Sequence, residues 1–177
     1  MPEEIYPVQL TAPDIEPYRK GNIGIDFVTS FDSGKPGAHV MINAITHGNE
    51  VCGAIALDYL FRANVRPTHG KLTLGFVNHL AYSNFDPDNP GLSRFVDEDF
   101  NRVWTEDRLD GLEVTAELRR ARELRPVFDT VDLLLDIHSM GTYSKPLMIC
   151  NGLKKEREFT VDVNFPAHIM CGSGHII

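Results

Sequence analysis

The sequence predicts an α/β fold built on a partly parallel sheet. Short, almost unbroken apolar runs at residues 39–45, 71–77 and 131–137 have the length and composition of buried strands. Two longer stretches, 50–63 and 112–125, carry apolar residues near helical spacing. The two classes alternate along the chain, which is the pattern of helices packed on a sheet.

Residues 1–20 are polar and punctuated by Pro2, Pro7, Pro13 and Pro17, and read as a loosely packed lead-in. Apolar alternation over 23–29 predicts a first strand, and Asp32-Ser33-Gly34 with Pro36-Gly37 supplies the turn after it. The strand at 39–45 stops at the polar loop Thr46-His47-Gly48-Asn49. A helix over 50–63 follows, with Val51, Ala54, Ile55, Leu57 and Phe61 on its apolar side. After the strand at 71–77 comes a long irregular stretch, 78–108, of a kind that is usually functional. The second helix, 112–125, sets Val114, Leu118 and Ala121 on one side and is limited by Pro126. Residues 131–137 deliver His138 at their end, and 146–150 read as another short strand. The final Gly174-His175-Ile176-Ile177 is apolar and uncapped, from which truncation is expected.

The 177 residues carry 17 Lys plus Arg against 25 Asp plus Glu, a formal net charge of −8. That balance argues against a nucleic-acid partner, which needs clustered cationic surface. No apolar run approaches the roughly 18 residues of a membrane helix, and Met1-Pro2-Glu3-Glu4 lacks the features of a signal peptide. Cys52, Cys150 and Cys171 are odd in number and widely spaced, and read as idle thiols of a reducing cytosol. The expected location is cytoplasmic. A homo-oligomer is compatible with the sequence.

In such a sheet ligands gather at the carboxyl ends of strands, so chemistry is sought after residues 45, 77 and 137. His47 and Glu50, three positions apart at a helix start, lie on one face and can share a metal. The same spacing also suits a helix N-terminal carboxylate that favours the dipole, and the pair alone does not decide. His138 adds weight. Asp136 shares its strand face amid leucines, where a carboxylate has a physical reason to exist if it orients a ligand histidine. A purely structural His–Asp contact is the alternative. Two histidines and one carboxylate leave a tetrahedral zinc with one open position for water. His39, His69, His79, His168 and His175 lack such company and are expected in surface or core packing.

Asn101 and Arg102 offer an amide and a guanidinium fork suited to a substrate carboxylate. Arg94 lies within reach of the same pocket. Both arginines could equally neutralise Asp97, Glu98 and Asp99.

His47-Gly48-Asn49-Glu50, Asp99-Phe100-Asn101-Arg102 and Asp136-Ile137-His138 together resemble the signature blocks of the succinylglutamate desuccinylase/aspartoacylase family, in the same order. That family is related to the zinc carboxypeptidases, and the likeness runs from about residue 22 to the end. The resemblance implies a three-layer sandwich with a mixed, partly parallel sheet, zinc-carboxypeptidase-like and C-terminally truncated, over a single domain 1–177. It implies one Zn2+ per chain bound by His47, Glu50 and His138, with Asp136 behind. It also implies that Asn101 and Arg102 grip a small anionic substrate, while Arg94 polarises the scissile carbonyl. The family reaction is hydrolysis of an N-acyl amino acid amide. One departure stands out: the family's general-base glutamate follows the last ligand by several dozen residues. Glu156, Glu158 and Asp162, the carboxylates after His138, do not resemble its context. A carboxypeptidase-like peptide hydrolase is the neighbouring enzymatic reading. A catalytically silent metal-binding domain is the reading if the chain ends at Ile177.

Overall fold

The structure is a computed structural model and describes residues 8–141 and 143–172. The expectations for Met1 to Pro7, for His175 and for the apolar end at Ile177 lie outside the described residues. The chain divides into two compact units, Met1–Ser139 and Met140–Ile177.

The first unit is built on a four-stranded sheet of order β1-β3-β2-β4. Its strands are β1 (Val28–Asp32), β2 (His39–Ala44), β3 (Lys71–Phe76) and β4 (Leu133–Ile137). β1 runs antiparallel to β3, while β2 is parallel to both β3 and β4. The sheet is therefore mixed, as expected. Its parallel strands are the apolar runs, because helices cover both faces of the sheet, although Lys71 at the start of β3 and Leu134 on β4 remain exposed.

Helix α1 (Val51–Arg62) crosses from β2 to β3. It packs Val51, Ala54 and Leu57 against Ala44, Leu72, Leu74 and Phe76 on one sheet face. Two short helices, α2 (His79–Tyr82) and α3 (Glu106–Leu109), and two 3-10 turns, Pro90–Ser93 and Phe100–Arg102, interrupt the long connection after β3. Helix α4 (Ala116–Phe128) then covers the opposite face, placing Leu118, Ala121 and Leu124 against Val28 and Met41. The result is a helix–sheet–helix sandwich with a core on each side of the sheet.

Four details correct the sequence reading. The lead-in is not loose from residue 8 onward: Ile15 is buried, Tyr18 stacks on Phe61 and Phe76, and its hydroxyl donates to Asp58 Oδ1 at 2.7 Å. β1 starts later than the alternation implied, because Phe27 adopts a left-handed φ of 62° and breaks the extended backbone while still burying its ring. α4 begins at Ala116, where Thr115 Oγ1 accepts the Leu118 N–H at 3.1 Å, which leaves Val114 outside the helix and exposed. Pro126 lies inside the last turn of α4 rather than limiting it.

The second unit holds β5 (Leu147–Cys150), α5 (Lys154–Val163) and β6 (His168–Cys171). β5 and β6 pair in parallel, with Cys150 opposite Cys171. α5 and β6 had no sequence expectation. The apolar residues of α5 are sparse and those of the four-residue β6 are exposed, so no periodic signal marks either element. All three cysteines are free: Cys150 is buried, Cys52 half-buried and Cys171 exposed.

Candidate metal centre

β2 is followed directly by Ile45, a buried β-branched residue held at a φ of 56°. Such a conformation is costly for isoleucine and persists only where the surroundings over-determine it. It turns the chain sharply into Thr46-His47-Gly48. A backbone turn follows, closed by the Glu50 N–H donating to His47 O at 3.0 Å, and α1 begins one residue later. His47 and Glu50 are thus brought together by this turn rather than by a shared helical face. Gly48 is required by close approach: a Cβ there would sit 2.3 Å from Ser93 O and 2.4–2.5 Å from the backbone of Ala81 and Tyr82. Its N–H donates to Arg94 O at 3.1 Å, tying the His47 turn to the loop that carries Arg94.

β4 lies beside β2 in register, Asn43 opposite Asp136 and Ala44 opposite Ile137. The next residue, His138, consequently emerges beside the His47 turn. One ligand atom from each of His47, Glu50 and His138 lies within 4.8 Å of the other two, and these three form such a group among the described residues. Glu50 is the hub. Its Oε1 is 2.9 Å from His47 Nδ1, its Oε2 is 2.8 Å from His138 Nδ1, and Oε2 also accepts the Ser139 N–H at 3.0 Å.

The outer nitrogens of both rings face carboxylates. His138 Nε2 is 2.9 Å from Asp136 Oδ2, and His47 Nε2 is 3.1 Å from Asp99 Oδ1. Thr46 Oγ1 donates to both Asp136 oxygens at 2.8–2.9 Å, which fixes that carboxylate in turn. Imidazoles whose outer N–H is held by a carboxylate, with inner nitrogens converging on a buried glutamate, are arranged as metal ligands with their supporting groups. The donor set fits a divalent ion of the zinc type.

Charge in the cluster follows from this geometry. Burial alone would raise the Glu50 carboxyl, but hydrogen bonds from His138 and His47 outweigh it and hold Glu50 down at about 2. Burial likewise works against an imidazolium at His138, yet Asp136 and Glu50 push it up to about 10. His47, Glu50 and His138 could hold a metal ion.

Arg94 reaches the same cluster. Its guanidinium is 3.0 Å from His47 Nε2 and 3.5 Å from both Glu50 Oε1 and Asp99 Oδ2. His47 Nε2 can accept from Arg94 or donate to Asp99, but not both. When Nδ1 is given to a cation the ring proton resides on Nε2, Asp99 becomes the partner, and Arg94 is left to meet another acceptor. Asn101 is tethered here by its backbone, whose N–H donates to Asp99 Oδ1 at 2.9 Å, and Arg102 is exposed with Nη1 3.2 Å from Asn101 O. Of the acidic run, Asp99 belongs to the centre. Glu98 pairs instead with Arg108 at 2.5–2.9 Å, and Asp97 accepts the Ala116 N–H at 2.7 Å. The carboxylates behind the two histidines offset the two arginines, so the pocket is less cationic than a count of Arg94, Arg102 and a divalent ion alone implies.

Residues 36–170 match the succinylglutamate desuccinylase/aspartoacylase catalytic domain. The chain belongs to this family. Its members are hydrolytic deacylases, and residues from all three blocks of sequence that carried the resemblance meet at the centre. No curated protein matches the chain. Among solved structures, a variant of murine aminoacylase 3 superimposes with a TM-score of 0.59 at 21% identity, over 80% of this chain and 50% of the other. An aspartoacylase family protein from Mesorhizobium loti gives 0.57 at 22%, over 83% and 46%. A succinylglutamate desuccinylase/aspartoacylase from Rhodobacter sphaeroides gives 0.55 at 23%, over 77% and 40%. These likenesses are likenesses of fold, and the chain spans about half the length of the solved chains it matches.

Asp99, Thr46 and Ser139 escaped sequence reasoning. Asp99 stood inside a recognised block, and its place directly before Asn101-Arg102 was the available signal. Ser139 acts through its backbone N–H and leaves no trace in residue type. His39 bonds Thr130 O and Thr73 Oγ1, His79 stacks on Phe27, and neither joins the centre.

Proposed function

We propose that the chain is the zinc-binding part of an amidohydrolase that cleaves an N-acyl amino acid, or a similar small carboxylate, with water as nucleophile. The observation that carries this reading is the convergence of His47 Nδ1, His138 Nδ1 and both Glu50 oxygens, each histidine backed by its own carboxylate. A zinc ion held there would supply a water of near-neutral pKa and polarise the acyl carbonyl.

The protein's own groups have separable tasks. Glu50, His47 and His138 supply the ligand atoms, and Asp136 and Asp99 hold the two rings in the tautomer that leaves Nδ1 free. Arg94, at the edge of the cluster and more exposed than Glu50, presents N–H donors where a carbonyl oxygen gains charge. Asn101 and Arg102, following on the same loop, grip the substrate carboxylate, a fork suited to two-point binding. The carboxylates after His138, Glu156, Glu158 and Asp162, lie on α5 in the second unit, and this reading assigns proton transfer to no residue of the cluster.

Elemental analysis with a substrate panel tests the reading. One zinc per chain is expected in the wild type, with loss in His47→Ala and His138→Ala, and the full-length protein should prefer N-acyl amino acids over C-terminal peptide bonds. Full zinc occupancy in either variant would remove the ligand assignment, and preference for peptides would replace the deacylase with a carboxypeptidase-like enzyme.

A further inference from the structure

Glu117, the second residue of α4, has no exposed surface, yet what surrounds its carboxyl group is a set of N–H donors. Oε1 accepts from the Val96 N–H at 2.7 Å and from Asn78 Nδ2 at 3.3 Å. Oε2 accepts from the Asp97 and Glu98 N–H groups at 3.0 and 3.3 Å. The loop answers in kind. Asp97 Oδ2 accepts the Ala116 N–H at the start of α4, and Glu98 Oε1 accepts from Thr115 Oγ1 at 2.7 Å. A buried carboxyl is expensive unless its oxygens are satisfied, and here they are satisfied by three consecutive amides of one loop.

That loop is the one that matters to the centre. Two residues before Val96 stands Arg94, and directly after Glu98 stands Asp99, both against His47. The other donor to Glu117, Asn78, also reaches Thr46 O at 3.4 Å, next to His47 on the facing wall. One side chain on α4 thus touches the supports of both walls without touching any ligand atom.

We propose that Glu117 is a positioning residue: by gathering the amides of Val96, Asp97 and Glu98 it sets Asp99 and Arg94 at the distances from His47 that the centre requires. Its effect on turnover presupposes the deacylase reading; its effects on the loop amides do not.

The experiment compares the full chain as wild type, Glu117→Gln, Asp99→Asn, the double variant, and Asp97→Asn, which alters an exposed carboxylate and should fold normally. Glutamine keeps the shape but turns an NH2 toward two of the amides. Hydrogen exchange at Val96, Asp97 and Glu98 should accelerate at least tenfold in Glu117→Gln while β2 and β3 amides stay unchanged. Zinc affinity, measured by chelator competition, should fall about tenfold in Glu117→Gln and in Asp99→Asn, the loss typical of a ligand's supporting group. The double variant should lose no more than either single one, because both act through the same contact. Asp97→Asn keeps an acceptor for the Ala116 N–H and should leave exchange and zinc affinity at wild-type levels. Unchanged loop exchange in Glu117→Gln, a uniform acceleration over all amides, or additive zinc losses would overturn the assignment. If the wild type takes up no zinc, the metal reading fails, and the exchange comparison alone decides the role of Glu117.

Discussion

The two walls of the centre are held by different physics. The His47 turn is fixed by backbone sterics: Ile45 in a left-handed conformation, and Gly48 pressed against Ser93 and α2 with no room for a methyl group. The Arg94–Arg102 loop is fixed by side-chain oxygens, those of Glu117, Asp97 and Asp99, each accepting from backbone N–H groups. A sterically fixed wall tolerates polar substitution and fails abruptly when volume is added. A wall held by hydrogen bonds yields in steps as acceptors are removed.

The largest effect is expected from Gly48→Ala. The added carbon meets backbone atoms, which cannot rotate aside, so destabilisation of about 3 kcal/mol is expected, the upper end for overpacking. Zinc binding should be lost with it; thermal unfolding and metal content read both. A variant that melts like the wild type would mean the two walls are more alike than the geometry implies.

Arg94→Lys probes the other wall. The charge stays while the fork is lost, so turnover should fall about a hundredfold, as on removing one oxyanion donor, with zinc affinity and stability little changed. A large loss of zinc affinity would instead make Arg94 part of the ligand scaffold.

The smallest effect concerns the shelf beneath Gly48. Burial, with the nearby Arg120 and Arg19 guanidiniums, pushes His79 down to about 4, against the weaker pull of Asp26 and Glu16. The unfolded chain takes up a proton that the folded chain refuses, so this contribution is complete above the ordinary value of 6.5 and is lost as pH falls toward 4. Replacing the ring by phenylalanine, His79→Phe, keeps an aromatic partner for Phe27 and should flatten the stability profile between those limits. Denaturant titrations across that pH range measure it.

Much of this arrangement was legible beforehand, and the failures have physical causes. β2, β3, β4 and α1 announced themselves because strands of a helix-covered sheet are mostly apolar and a helix covering one face must be amphipathic. His47, Glu50 and His138 were legible as residue types in order. β1 was displaced because Ile25 and Phe27 are packed into the cores by a turn, so burial persists where the strand does not. Asp99 and Glu117 stayed hidden as supports because their partners are main-chain amides and a ring nitrogen far away in sequence, and no periodicity encodes such a meeting. Pro126 misled because it removes only its own bond to the carbonyl four residues back, and the turn still closes beyond it, with the Asp129 N–H donating to Arg125 O at 2.9 Å.

Among the described residues β4 is an edge strand of the four-stranded sheet, joined there to β2 alone, and His138 follows it directly. Glu50 and His138 are 88 residues apart in the chain. A cation shared between them would act as a staple, closing that long loop and clamping the sheet's outermost strand to its centre. Metal supply would then govern how long the protein survives heat and proteases as well as whether it reacts, and a chelator would unlatch the sheet from the edge inward.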